Sequence, residues 1–221
     1  VVVEVGANIG THTLFFAQQV GPTGMVLAFE PQRIVFQTLC ANMALNSVLN
    51  VDCRQVALGA HPGEIRVPVI EYRRPGNFGG LALGDWSHGE TVPLVTLDSL
   101  GLGRCHLIKI DVEGMEKQVL EGAFQTITRF KPLLYVENDR KEKSPELVQY
   151  LHNLGYEMYW HAPPLYNAEN FCHHAENVFG PTVSLNMLCV HRSIPQKLEG
   201  FQRVELPGVA TTAADATAAA S

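Results

Sequence analysis

The chain has 221 residues, 46% hydrophobic and 17% charged, enough for one domain with a real core and too apolar for overall disorder. Sixteen Lys and Arg against 22 Asp and Glu give a net charge of -6, which removes the cationic surplus that nucleic-acid binding draws on. No apolar run approaches the ~20 residues of a membrane helix, and five scattered cysteines without a CxxC argue against a disulfide framework or zinc knuckle and for a reducing, cytoplasmic setting.

The chain opens inside an apolar strand, residues 1–5, with no initiator Met and no signal-peptide pattern, so it reads as lacking its natural N-terminus. A Gly-rich turn leads into a helix over 11–20, where Leu14, Phe15 and Ala17 keep helical spacing. A second strand (25–29) closes on Glu30-Pro31, a helix follows over 32–46, and a third strand is expected over 51–58. This succession predicts an α/β fold with a parallel sheet and crossover helices. Residues 59–95 break the rhythm: they are rich in Gly and Pro, with short alternating runs that suggest an inserted β-hairpin. Regular order resumes with a strand at 106–110, one helix across 114–129, a strand at 133–137, a helix at about 144–154 and a strand at 156–160. A long polar loop (about 161–184) precedes a last apolar strand at 184–191, and the Ala/Thr-rich tail 207–221 is expected to be disordered. The whole reads as one domain over 1–206.

The first strand ends Glu4-Val5-Gly6-Ala7-Asn8-Ile9-Gly10 and enters a helix. Such a turn lets a ligand approach the backbone, and the helix start offers free N–H groups. Glu30 ends the second strand, where an acid accepts hydrogen bonds from two ribose hydroxyls. The dinucleotide fingerprint, however, wants Gly where Asn8 and Thr11 stand. A carboxylate at Glu4 would repel a pyrophosphate but suits an ammonium group. S-adenosylmethionine, with its amino-acid head and sulfonium, fits that pattern better than NAD. A lone buried carboxylate inside an apolar strand is costly, which favours a functional reading of Glu4 and of Glu30.

The segments Val3 through Thr13, Ala28-Phe29-Glu30-Pro31, Leu97-Asp98-Ser99-Leu100 and Ile108-Lys109-Ile110-Asp111-Val112-Glu113-Gly114-Met115-Glu116 resemble, in order and spacing, the FkbM family of S-adenosylmethionine-dependent methyltransferases. The resemblance runs over roughly residues 1–140, and the Lys-Ile-Asp-Val-Glu-Gly segment is its most telling part. It implies a Rossmann-like class I methyltransferase fold: a mostly parallel central sheet, helices on both faces, a β-hairpin insertion and a final antiparallel strand. It also implies methyl transfer to a hydroxyl of a small molecule or glycan, with Glu4, Gly6, Asn8, Gly10, Thr11, Glu30 and Pro31 around the cofactor. The acid that commonly follows the third strand in wider methyltransferases is missing from Gln55-Val56-Ala57-Leu58, so backbone groups of Val56 or Ala57 are expected at the adenine.

A sugar or alkyl hydroxyl is a weak nucleophile at neutral pH, so a base or a metal ion would help. Asp111 ends the fourth strand of the regular series and Glu137-Asn138 the fifth, at the carboxyl edge where open sheets bind ligands. Asp111 is expected both beside the cofactor and, with Glu137 and Asn138, in catalysis. One route has Asp111, Glu137 or a histidine such as His61 remove the proton. The less favoured route has Asp111, Glu137 and Asn138 hold a divalent cation. Asn77, Phe78, Gly79 and Glu113 are the candidate substrate contacts, with Trp86 and the 161–184 loop as further acceptor-lining candidates. Glu116 is read as a first-turn helix acid, His12 as a surface or capping residue, and His173-His174 as solvent-exposed. Competing readings are an NAD-dependent oxidoreductase and a non-catalytic nucleoside-binding module.

Overall fold

A computed structural model describes residues 1–71, 73, 80, 86–195 and 198–206. The expectations for Asn77, Phe78, Gly79 and the 207–221 tail therefore lie outside the described residues.

Seven strands form the main sheet in the order β3-β2-β1-β7-β8-β10-β9. β1 (Val2–Val5) and β2 (Val26–Phe29) are buried at every position, which explains their unbroken apolar runs: helices cover both faces. β3 (Val51–Arg54), β7 (Leu107–Ile110) and β8 (Leu133–Glu137) continue the parallel part, while β10 (Asn186–His191) runs antiparallel between β8 and β9 (Tyr156–His161). Alternate residues of the strands build two packing layers. Val3, Val5, Phe29, Ile108, Ile110 and Leu134 join Leu120, Ile127 and Leu151 from α3 (Glu116–Glu121), α4 (Phe124–Phe130) and α5 (Ser144–Asn153). On the opposite face, Val2, Val26 and Ala28 pack against Ala17 of α1 (Thr11–Val20) and Leu39 and Met43 of α2 (Arg33–Leu45). Among the described residues no helix is long and apolar enough to cross a membrane.

The chain leaves β1 toward β2 and β3, then returns to β7 on the other side of β1. That reversal opens a crevice at the carboxyl ends of β1 and β7, the place where open α/β sheets take ligands.

Two elements differ from expectation. The strand expected over 51–58 stops at Arg54, whose carbonyl accepts Glu30 N–H at 3.1 Å. The next residue of the neighbouring chain is Pro31, which has no N–H to extend the ladder. Ala57 and Leu58 (β4) instead join a second sheet, β4-β6-β5, with β6 (Glu90–Val95) antiparallel to β5 (Gly63–Val67). The helix expected across 114–129 is two helices, broken at Gly122 and Ala123. Gly122 packs so closely on the chain that a Cβ there would sit 2.0 Å from Gly59 O, and its carbonyl accepts Asp98 N–H at 2.9 Å. The Asp98 carboxylate then caps α4 by accepting the N–H groups of Gln125 and Thr126, each at 2.8 Å. Asp98→Ala removes both acceptors and is expected to cost about 1–2 kcal/mol. A thermal melt should show a midpoint lower by several degrees, with ligand affinity unchanged.

Candidate active site

The turn after β1 is built by its own backbone. Gly6 has φ +80°, and a Cβ there would lie 1.8 Å from Asp111 O, so the turn passes hard against the end of β7. Gly6 N–H and Ala7 N–H both donate to Phe29 O at 3.0 Å, tying the turn to β2. Asn8 follows at φ +50°, a left-handed position that Asn tolerates. This conformation sends Asn8 N–H to Glu30 Oε2 at 3.0 Å. Gln32 N–H donates to Glu30 Oε1 at 2.9 Å. Two amides thus fix the Glu30 carboxylate, one on each oxygen, and each oxygen keeps acceptor capacity for a further donor. Burial pushes the Glu30 carboxyl above the usual range, opposed by those two N–H groups.

These residues line an open cleft at the carboxyl ends of β1 and β7. Gly6, Asn8, Thr11, Glu30, Pro31 and Asp111 from the expected cofactor set and Glu113 from the expected substrate contacts border it, together with His12, Gln32 and Lys109. A smaller apolar hollow beside it shares Gly6, Pro31 and Val112 with the cleft and is lined further by Val56 and Ala57.

Glu4 and Gly10 stand elsewhere. Gly10 packs into α2, where a Cβ would be 2.7 Å from Leu39 Cδ1. Glu4 is fully buried behind the cleft. Thr13 Oγ1 donates to its Oε2 at 2.6 Å, and Lys109 Nζ lies 3.9 Å from its Oε1, which has no hydrogen-bond partner among the described residues. Burial pushes Glu4 up to about 7, against the pull of Lys109 and Thr13. The reason Glu4 misses the cleft is register: it pairs with Lys109 across β1 and β7, one pleat below the rim. Lys109 therefore lies between Glu4 and Asp111, whose Oδ2 is 3.2 Å from Nζ.

At the rim beyond β7, carboxylate oxygens of Asp111, Glu113 and Glu137 lie within 4.8 Å of one another. Glu113 sits at φ +56° and is paired with Arg140. Burial pushes Glu137 up to about 9, with the Asp111 and Glu113 charges adding to it. Its surroundings thus favour the protonated form. Asn138 does not join this group. Its amide donates to Ser144 Oγ at 2.9 Å and contacts Met187 Sδ at 3.2 Å, so its side chain turns into the core beneath β10. Glu113 takes the place that the sequence reading gave to Asn138. Glu116 is buried, and its Oε1 accepts Gly114 N–H at 2.8 Å and Val112 N–H at 3.3 Å. Its work is to hold the Asp111–Gly114 turn rather than only to face a helix dipole.

Glu137 gives a pH-dependent stability. A carboxyl raised in the folded chain contributes fully below about 4.5 and loses that contribution as pH rises through about 9. Glu137→Gln removes this dependence. The variant should gain thermal midpoint relative to the parent between pH 5 and pH 9, read by melts at both ends.

Sequence reasoning missed further residues at and beside the cleft. Gln32 and His12 border the cleft, although only proximity to Glu30 and Thr11 hinted at it. Tyr135 aligns with Lys109 across β7 and β8, and its hydroxyl bonds His161 Nδ1 at 2.8 Å. Tyr135, Glu137 and His161 form a partly buried polar patch on the α1 side of the sheet. His173 and His174 are exposed, as expected, and so is Trp86.

An open, mostly parallel sheet of this strand order, with an acid held at the end of β2 and a Gly-turn pressed on β7, defines a Rossmann-like α/β protein. Residues 4–158 match the family model described as the methyltransferase FkbM domain, and the chain belongs to that family. "Methyltransferase 1" of Beauveria bassiana (strain ARSEF 2860) is 31% identical over 144 residues, covering 55% of this chain and 57% of that protein. "Methyltransferase sdnD" of Sordaria araneosa is 30% identical over 155 residues, covering 55% and 59%. The match thus spans little more than half the length of these curated relatives. Among solved structures, the methyltransferase FkbM of Methylobacillus flagellatus KT superposes with a TM-score of 0.59 at 17% identity, over 85% of this chain and 42% of that one. That likeness is one of fold.

Proposed function

We propose that the chain is an S-adenosylmethionine-dependent O-methyltransferase acting on a hydroxyl of a small molecule or glycan. The observation that carries this reading is the Glu30 carboxylate, oriented by Asn8 and Gln32 amides at the floor of a cleft that ends at Asp111. Glu30 takes the ribose hydroxyls. The apolar hollow at Val56, Ala57 and Pro31 takes the adenine through packing and backbone groups. This fit supports the methyl donor over NAD, because Asn8 N–H is already committed to Glu30 and the turn carries a buried acid behind it rather than a set of free amides for a pyrophosphate.

The bound donor supplies an electrophilic methyl group on a sulfonium. The chain's own work is positional and acid–base. The turn and Glu30 fix the donor so that an acceptor hydroxyl can approach in line, which removes much of the entropic barrier. Asp111 accepts the hydroxyl proton as the oxygen–carbon bond forms and the carbon–sulfur bond breaks. Burial and the neighbouring Asp111 and Glu113 charges favour the protonated form of Glu137, which makes it the poorer base of the cluster. Glu113 and the patch at Tyr135 and His161 border the acceptor side. The test is transfer of isotope-labelled methyl from S-adenosylmethionine to pooled sugars, glycosides and hydroxylated small molecules. Labelled ether product supports the proposal; label on nitrogen or carbon acceptors alone would reject O-transfer.

One observation favours a second reading. The Asp111, Glu113 and Glu137 oxygens cluster, and Glu137 Oε2 is buried without a hydrogen-bond partner among the described residues. Hard oxygen donors in that arrangement suit a divalent cation. Under the proton-acceptor reading, dialysis against EDTA leaves the rate unchanged. Loss of activity restored by Mg²⁺ or Mn²⁺ would select the cation.

A further inference from the structure

We propose that Lys109 receives the α-carboxylate of the donor's amino-acid head, an assignment that rests on the S-adenosylmethionine reading above. Lys109 projects from the middle of β7 and is 3% exposed, yet it lines the cleft. A lysine in that position must justify its desolvation, because a buried ammonium is costly unless paired. The pairing within the chain is incomplete. An ammonium has three donors. One reaches Asp111 Oδ2 at 3.2 Å, whereas Glu4 Oε1 at 3.9 Å is beyond hydrogen-bond reach and stays without a partner among the described residues. Donor capacity therefore remains at the cleft floor.

The charge pattern of the lining says what fills it. Its other charged side chains are the acids Glu30, Asp111 and Glu113, and burial lowers the affinity of His12 for a proton. Lys109 is the one lysine or arginine among the lining residues. The donor carries two cationic centres, the sulfonium and the ammonium, and a single carboxylate. The cationic centres have acids to approach. Among the described lining residues the carboxylate has only Lys109. The β1–β7 register accounts for the Glu4 carboxylate as well: it faces the Lys109 ammonium at 3.9 Å without lining the cleft, so its charge offsets part of the ammonium's burial without a hydrogen bond. On this assignment Lys109 is a binding residue for the donor, and its second role is to keep Asp111 in place.

The test is calorimetric titration of the full chain with S-adenosylhomocysteine and with its decarboxylated analogue. The parent protein should prefer the carboxylate-bearing ligand by about 10-fold or more, the worth of one charge-assisted hydrogen bond. Lys109→Met should reduce the preference to within about 3-fold, since residue and carboxylate form one cycle. Lys109→Arg should retain part of it. Glu4, left unpaired in Lys109→Met, could unfold that variant, so Glu4→Gln with Lys109→Met provides the same readout without the orphaned charge. Equal affinity of the parent for both ligands, or a preference that survives in a folded Lys109→Met or double variant, would overturn the assignment while leaving the donor reading intact. A folded parent that binds neither ligand would overturn both.

Discussion

Asp111→Asn is expected to lower kcat by about 100-fold or more while the Kd of S-adenosylhomocysteine changes by less than about 5-fold. The substitution keeps shape and removes the proton acceptor. Asp111 and Glu113 both lie where the cleft meets the acid cluster at the sheet rim, and of the two Asp111 is the one not paired with Arg140. The alternatives nearby are weaker. The surroundings of Glu137 favour its protonated form, Glu113 is tied to Arg140, and His61 is exposed and absent from the cleft lining. Asn at this position still offers Lys109 a carbonyl oxygen, so donor binding persists. Single-turnover methyl transfer separates the two parameters. A rate within about 3-fold of the parent would remove Asp111 from the chemistry.

Glu30→Ala is expected to raise the Kd of S-adenosylhomocysteine by about 100-fold or more. Two ribose hydroxyl contacts to a buried carboxylate are charge-assisted hydrogen bonds, each worth about 1.5–3 kcal/mol. The same change strips acceptors from Asn8 N–H and Gln32 N–H, so the turn itself loosens. Glu30→Gln isolates the two effects. It preserves one acceptor and the side-chain volume but sets an NH2 against the other amide, so it should recover part of the thermal midpoint and part of the affinity. Calorimetry on both variants, beside their melts, reads the split. Unchanged affinity in a folded Glu30→Ala protein would mean that the ribose lies elsewhere.

Much of the architecture was legible because parallel strands buried on both faces spell themselves as apolar runs, as at Val2–Val5 and Val26–Phe29. Gly6, Asn8 and Glu30 were legible for a related reason. A left-handed turn and a charged residue at a strand end contradict local propensity, and such contradictions mark sites. The errors have a different origin. Nothing local to residues 114–129 announces that Asp98, far back in the chain, will restart the helix at Phe124. Likewise Glu4 and Lys109 face each other only through the β1–β7 register, which a crossover of unknown length sets. Asn138 carried the right chemistry for an ion or an acceptor, and only the packing of Met187 and Ser144 shows that its amide is spent inside the core. Tyr135 and His161 are brought together by insertion of β10 between their neighbouring strands, a late antiparallel strand whose pairing partners no period in the sequence names.

The central claim is that the crevice between the β1 turn and the end of β7 holds the methyl donor. A crystal structure with S-adenosylhomocysteine tests it most directly. The account predicts ribose hydroxyls on Glu30, adenine in the hollow of Val56 and Ala57, and the homocysteine sulfur facing Asp111. Electron density for the ligand at any other place, with this crevice filled by protein side chains, would contradict it.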